Sequence, residues 1–392
     1  MNDADKFIIR KAVLELAKTG TPRFTSIDDD VRNLPKVNSK TINLWDYVTA
    51  IGAQLSRPPY DPYRETISLD ISIGRKKSRK VSLNIPLIIY GNIAIHHSSL
   101  EAVHLALNRL AEKGNVLGLI SEIDINTIKD NTRKYPLFKK VSFYKNDSLE
   151  HYQKSCPEGL VLEYKDQDSL RILQDFRKEF DGPILVDISE VFPLYTKTIL
   201  EEGADGIIVD TDKVTKKERY KGKHAIAVIY DARNAINDYY KGREENDNDN
   251  NAILVIAGDV NSAGKIVKAA ALGANVVGYS TSMLIAHSNM YSEKPSNVSS
   301  IAENVYRHMV GTKGEIKGIP AALGYSDFHN LSPSDLRTSS IDASLQGNIP
   351  LEGVDRTYKQ IIEEIVNEYV SEKGIKLNYL ETQQIVRFMV RE

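Results

Sequence analysis

Thiols are almost absent from this 392-residue chain, in which Cys156 is the only cysteine. That excludes an internal disulfide and any metal or iron–sulfur site built from thiolates. No metal is expected on other ligands either, because adjacent His96 and His97 lack a third ligand at a recognisable spacing. A charge excess is missing too: Lys and Arg number 51 against 53 Asp and Glu. No global field therefore attracts nucleic acid or an anionic membrane. The one dense basic run, Arg75-Lys-Lys-Ser-Arg-Lys80, reads as a solvated loop. No apolar run approaches the roughly 20 residues of a membrane span. The opening MNDADKFIIRKAVLELAKTG reads as an amphipathic helix broken by charges, not as a secretory signal. A cytoplasmic protein with neither nucleic-acid nor membrane partners is the expectation. The single tryptophan, Trp45, reads as a packing anchor.

What is present begins at Pro86. Eight short aliphatic runs follow: PLIIYGNIAI, NVLGLIS, KKVSFYK, GLVLEYK, PILVDIS, DGIIVDT, AILVIAGDV and NVVGYST. Most are nearly continuous rather than alternating, the mark of strands buried on both faces of a parallel sheet. Helical patterns separate several of them, and Ser98-Ser-Leu-Glu101 reads as a capping box opening one. Eight such units predict an α/β fold, a (β/α)8 TIM barrel rather than an open doubly wound sheet. EEGADGIIVDT and ALGANVVGYST echo one another, as stacked βα units would.

Residues 1–80 then form an N-terminal helix and arm, with Pro58, Pro59 and Pro62 marking an irregular path. Residues 81–290 form the barrel, and 291–392 a C-terminal extension with two helices. The first of these carries Val354, Tyr358, Ile361, Ile365 and Tyr369 at helical spacing. The second, from about 378 to 390, has a stripe of Ile385, Phe388 and Met389 that is expected to pack on the barrel. REENDNDNN at 243–251 has almost nothing to bury and reads as a mobile loop.

Barrels of this kind carry their sites at the C-terminal ends of the strands. Asp187 and Asp210 end two strands and are the candidate catalytic residues; Asp210 and Asp212 could act as acid/base residues, with helix capping or a turn as the alternative. The stretch from 255 to 281, VIAGDVNSAGKIVKAAALGANVVGYST, puts small residues at two neighbouring turns. Gly258, Ala263 and Gly264 can bring backbone N–H groups close to an anion, and Ser262 can cap a helix whose N-terminus is positive. Gly278, Ser280 and Thr281 offer a second set of donors. The other reading is that small residues merely make tight βα turns. Asp259, a carboxylate within the proposed nest, speaks for the second.

The same stretch resembles the FMN-binding barrel of the glutamate synthase family in residue order and spacing, from Gly258 to Gly264 and from Ala271 to Thr281. AQLSRPPYDPYRETISLDISIG resembles that family's lead-in to the barrel, IPLIIYGNIAIHHSSLEAVHLALNRLA its first strand and helix, and AALGYSDFHNLSPSDL its closing segment. The resemblance spans about residues 50 to 340. It implies that Gly258, Ser262, Gly264, Gly278, Ser280 and Thr281 hold the FMN phosphate, with Gly91 and Asn92 near the flavin ring. It also implies an oxidoreductase of nitrogen metabolism that turns a 2-imino acid into glutamate with electrons from the flavin.

Departures from the family qualify that expectation. The run matching its iron–sulfur ligands, LIAHSNMYSEKPSNVS, has no thiol, so no cluster is expected. No glutaminase domain lies within the chain. The expected partners are therefore a small-molecule substrate, a separate subunit supplying electrons or ammonia, and further copies of the chain. Two glycine-rich substrate stretches of the family are replaced by LISEIDIN and DTDKVTKKER. The family's lysine beside the reduced flavin corresponds to Asp187. At about 4 Å and an effective dielectric near 20 a unit pair is worth about 4 kcal/mol, so an ionised Asp187 there disfavours anionic reduced flavin. Alternatively, Asp187 faces a lysine of its own and nothing binds nearby. Three functions follow: a divergent FMN-dependent oxidoreductase; a non-catalytic barrel descended from glutamate synthase that serves binding or assembly; and a phosphate-ligand barrel with non-redox chemistry.

Overall fold

Each aliphatic run becomes a short parallel strand. The computed structural model describes residues 20, 43–52, 56–75, 78–90, 97–121, 133–141, 156–241, 251–260, 262–279, 297–373 and 379–390. Three strands precede the barrel: β1 (Val48–Ala50), β2 (Ile71–Ile73) and β3 (Val81–Leu83). The barrel strands are β4 (Leu87–Ile89), β5 (Gly118–Ser121), β6 (Leu137–Val141), β7 (Gly159–Glu163), β8 (Ile184–Asp187), β9 (Gly206–Asp210), β10 (Ile253–Ala257) and β11 (Val276–Gly278). They close in the order β4 to β11, with β11 returning to β4. Every pair is parallel, as the registers Glu163↔Asp187 and Ala257↔Asp210 illustrate. The expected (β/α)8 barrel is what the chain forms.

Helices α1 (His97–Glu112), α2 (Gln167–Glu179), α3 (Thr196–Glu201), α4 (Thr211–Val214), α5 (Ala225–Tyr240) and α6 (Ala263–Ala271) lie between strands. After β11 comes α7 (Val298–Ala322), which packs on α1 and α6 and completes the ring. The sequence reading had no helix there. Gly311, Gly314, Gly318 and Pro320 dilute its helical pattern, while Ile301, Val305, Met309 and Ile316 bury the face that decides it. Helices α8 (Ile341–Gly347), α9 (Tyr358–Glu372) and α10 (Tyr379–Val390) follow the last strand, β12 (Leu336–Thr338). Strand β6 begins at Leu137, two residues before KKVSFYK, because Leu137 and Phe138 are the fully buried pair.

Strand residues alternate between two cores. The outward set packs under the helices. The inward set includes Ile88, Phe138, Val161, Leu185, Ile208 and Val255, joined by Ile73, Val81 and Leu83 of the β2–β3 hairpin, which plugs the N-terminal end of the barrel. Each such side chain contributes about 1.5–3 kcal/mol on burial.

That lower end is also clasped by polar groups. The Asp205 carboxylate is 1% exposed and accepts from Arg177 Nη2 at 2.8 Å, Ser78 Oγ at 2.7 Å and the Ile184 amide at 2.8 Å. Arg75, read as part of a solvated loop, instead donates to the carbonyls of Leu200 and Ala204 and to the Tyr239 hydroxyl. Carbonyls at the end of α3 need external donors, and a guanidinium fork meets two at once.

Trp45 is fully buried in a 3₁₀ turn, Leu44–Tyr47, and its carbonyl accepts from Lys268 Nζ of α6 at 2.9 Å. Strand β1 pairs antiparallel with β12, tying the arm to the extension. Helices α9 and α10 pack on each other through Ile362, Val366 and Val386. Ile385 and Met389 remain 37% and 50% exposed, so the expected stripe does not bury itself on the barrel. The amphipathic N-terminal segment and the acidic run lie outside the described residues, apart from Gly20 and Asn251. No helix among the described residues is long and apolar enough to cross a membrane.

Candidate functional site at the barrel mouth

Counting two residues on from the inward side chain of a strand reaches the upper inner layer of the barrel. By this alternation Ile88 leads to Tyr90, Val161 to Glu163, Leu185 to Asp187 and Ile208 to Asp210. The layer that closes the mouth is therefore polar and largely acidic.

Asp187 is its hub, at 2% exposed. Its Oδ2 accepts from the Tyr90 hydroxyl at 2.8 Å, across the barrel. Its Oδ1 accepts from the Ser189 hydroxyl and, at 3.0 Å, from the Ser189 amide. Ser189 Oγ in turn accepts from the Asp210 amide at 2.8 Å, linking the two aspartates. Lys213 Nζ stands 3.9 Å from Asp187 Oδ2. Asp187 thus faces a lysine of its own, one of the alternatives its sequence context allowed. Burial, with the Asp187 charge next, lifts the Tyr90 hydroxyl far above its usual range, so the phenol stays protonated.

Asp210 is the N-cap of α4, with Oδ1 accepting from the amides of Asp212 at 3.0 Å and Lys213 at 3.3 Å. Burial raises its pKa, with Lys213 acting in the opposite direction. Capping and a raised pKa coexist in one residue. Lys165 lies 3.3 Å from Glu163 and completes the charged ring.

The β10 and β11 turns are built differently. Gly258 has φ +100°, and a Cβ there would lie 2.5 Å from Thr211 Oγ1 and 2.8 Å from the Asp212 amide nitrogen. This glycine lets the turn press against the start of α4. A Cβ at Gly278 would meet Ala257 Cβ and Tyr90 Cβ, each at 2.9 Å, so its space belongs to the inner layer. Ser262 caps α6 by accepting from the Lys265 amide at 3.3 Å. Gly264 lies in the first turn of that helix. Asp259 is held by its own partners: Lys265 Nζ at 2.8 Å and the Trp45 indole N–H at 3.2 Å. His224 Nε2 stands 3.9 Å away, and burial lowers the His224 pKa to about 4. Gly91, Asn92, Ser280 and Thr281 lie outside the described residues, as does His96. Among the described residues no group of His, Cys, Asp and Glu is arranged to hold a metal ion.

The structure therefore joins Asp187 to Asp210 and sets both beside Gly258 and Gly278 through Thr211 and Tyr90. Tyr90, Glu163, Ser189 and Lys213 were missed. The signal that would have found the first two is the period of two, carried one step beyond each strand.

A family model described as a conserved region in glutamate synthase matches residues 233–294, which include β10, α6 and β11. No curated protein matches the sequence. Solved structures match the fold. A mandelate oxidase variant with a monooxide FMN adduct is 14% identical at a TM-score of 0.51, covering 73% of this chain and 86% of its own. An (S)-mandelate dehydrogenase mutant is 14% identical at 0.52, covering 84% and 99%. The flavin-binding domain of baker's yeast flavocytochrome b2 is 13% identical at 0.52, covering 75% and 76%. At such identities these similarities establish the barrel architecture.

Proposed function

We propose that the chain is an FMN-dependent oxidoreductase of the glutamate synthase type, divergent in its substrate. The observation that carries this reading is the family match over 233–294, which covers the β10–α6–β11 unit where the sequence resembles an FMN phosphate site. The solved barrels named above, among them a flavin-binding domain, support it.

The donor chemistry of the α6 turn fits a phosphate. The helix has nine residues, its N-terminus carries a positive partial charge, and Ser262 and Gly264 are small residues at its start. Asp259 does not oppose the anion as an unpaired charge, because Lys265 and Trp45 hold its carboxylate. In this reading Ser262 and Gly264 hold the phosphate, with Ser280 and Thr281 assigned to it by resemblance. A bound flavin would supply the two-electron chemistry.

The remaining steps belong to the chain. Burial, and then the Asp187 carboxylate that accepts from it, keep the proton on Tyr90, so a neutral phenol faces the mouth. Lys213 offsets the Asp187 charge, which moderates the repulsion expected from an aspartate in place of the family's lysine. Asp210 uses Oδ1 as a cap, and burial raises its pKa against the opposing charge of Lys213. Electrons or ammonia would come from a separate subunit, and the substrate would be a small molecule.

A second reading, a binding module without redox turnover, is favoured by one observation: Tyr90 and Asp187 close the axis of the mouth with the chain's own side chains. The visible spectrum of the purified protein, before and after FMN addition, decides between the two. Flavin absorbance is expected, and Gly264→Asp should abolish it with an unchanged melting temperature. An acid in the first helical turn suits the helix dipole but repels a phosphate. Colourless protein that takes up no FMN would leave the second reading standing.

A further inference from the structure

Beside the barrel axis, the segments after β7, β8 and β9 enclose a cleft of about 600 Å³. Its inner wall is aromatic. The rings of Tyr164 and Tyr195 lie 5.3 Å apart and 30° from parallel, with Phe192 and Leu194 beside them. Tyr195 adopts φ +65°, uncommon for a residue with a Cβ, and with Leu194 it remains 45% and 57% exposed, respectively. Large apolar side chains left open in a concavity mark a surface that meets a ligand.

Tyr164 is itself 2% exposed, so Tyr195 and Leu194 carry the open part of that wall. On the rim, Lys165 is paired with Glu163 and Lys217 with Glu190. Arg219 is exposed and makes no hydrogen bond or ion pair among the described residues. Of the two lining acids, Glu190 pairs with Lys217 and Asp166 caps α2 through the Ser169 amide at 3.2 Å. The uncommitted charge of the cleft is therefore one guanidinium, whose planar fork suits a carboxylate.

We infer that this cleft binds a planar organic anion. Its flat body lies along Tyr195 and Leu194, and its carboxylate meets Arg219. The inference does not depend on the flavin reading, since none of these residues belongs to the α6 turn.

The test is calorimetry on the full chain with 4-hydroxybenzoate as the probe, and with acetate and benzyl alcohol as controls lacking the ring and the charge. Saturable binding of the probe is expected, with both controls weaker by about tenfold or more. Arg219→Ala should weaken the probe by about tenfold and Arg219→Lys should recover part of the loss. Tyr195→Ala should weaken it by about fivefold without lowering the melting temperature, because the ring is 45% exposed. Absence of saturable binding, or binding indifferent to Arg219→Ala and Tyr195→Ala, would overturn the inference. So would displacement of the probe by FMN, which would make the cleft part of the flavin site.

Discussion

On the β10–β11 side of the mouth the chain is small and glycine-rich; on the β7–β9 side it is charged and aromatic. Both sides end parallel strands at the same level, but their side chains solve different problems. Gly258 and Gly278 sit where the chain approaches itself closely, against Thr211 and Asp212 in one case and Tyr90 and Ala257 in the other. Across the mouth, Glu163, Asp187 and Asp210 stand beside Lys165 and Lys213, and a cleft opens outside them. Glycine there reports close packing, whereas buried charge held by partners from several strands reports where chemistry can be held. A phosphate turn and a tight turn therefore look alike in one dimension. They differ only in what fills the space above each Cα.

The largest expected effect tests the glycine side. Gly258→Ala forces a Cβ into Thr211 at a positive φ and should cost about 3 kcal/mol in denaturant unfolding. A variant as stable as the parent would show that the turn does not press on α4, and the contrast between the two sides would collapse. Next comes the charged side. Asp187→Ala leaves the Tyr90 hydroxyl, the Ser189 amide and Lys213 without their acceptor, and should cost about 2 kcal/mol. Losing much less would mean that the polar layer is wet and its hydrogen bonds replaceable.

The smallest effect concerns the Trp45–His224–Asp259 cluster behind the glycine side. His224 has a pKa of about 4 in the folded chain, below the ordinary histidine value of about 6.5. Between these values the unfolded chain binds a proton that the native state refuses. Stability is therefore full above about pH 6.5 and falls as the pH drops toward about 4, by about 1 kcal/mol at pH about 5.5. His224→Asn, which keeps a capping acceptor at the start of α5, should flatten that part of the melting-temperature profile. An unchanged slope would assign the acid sensitivity to other groups.

Much of the barrel could be read in advance. Eight aliphatic runs became eight strands because a segment buried on both faces has no room for polar residues. Helix α7 escaped because its glycines and Pro320 obscure a face that becomes apolar only against α1 and α6. Arg75 was misread because nothing near it in the chain shows the α3 carbonyls it serves. At the site, Asp187 and Asp210 were legible as strand-end carboxylates. Their partners were not: Tyr90 is 97 residues from Asp187, and Asp259 is 214 from Trp45.

What the sequence alone determined was local. Side-chain polarity set the period of each strand, the small residues set the tight βα turns, and a single thiol removed any cluster built on cysteine. What only the tertiary structure decided was which charges meet. Closing eight strands into a ring brings Tyr90, Asp187, Asp210 and Lys213 within one polar network, although they come from three separate βα units. Coulomb and hydrogen-bond energies depend on distance through space, which residue spacing along the chain does not encode.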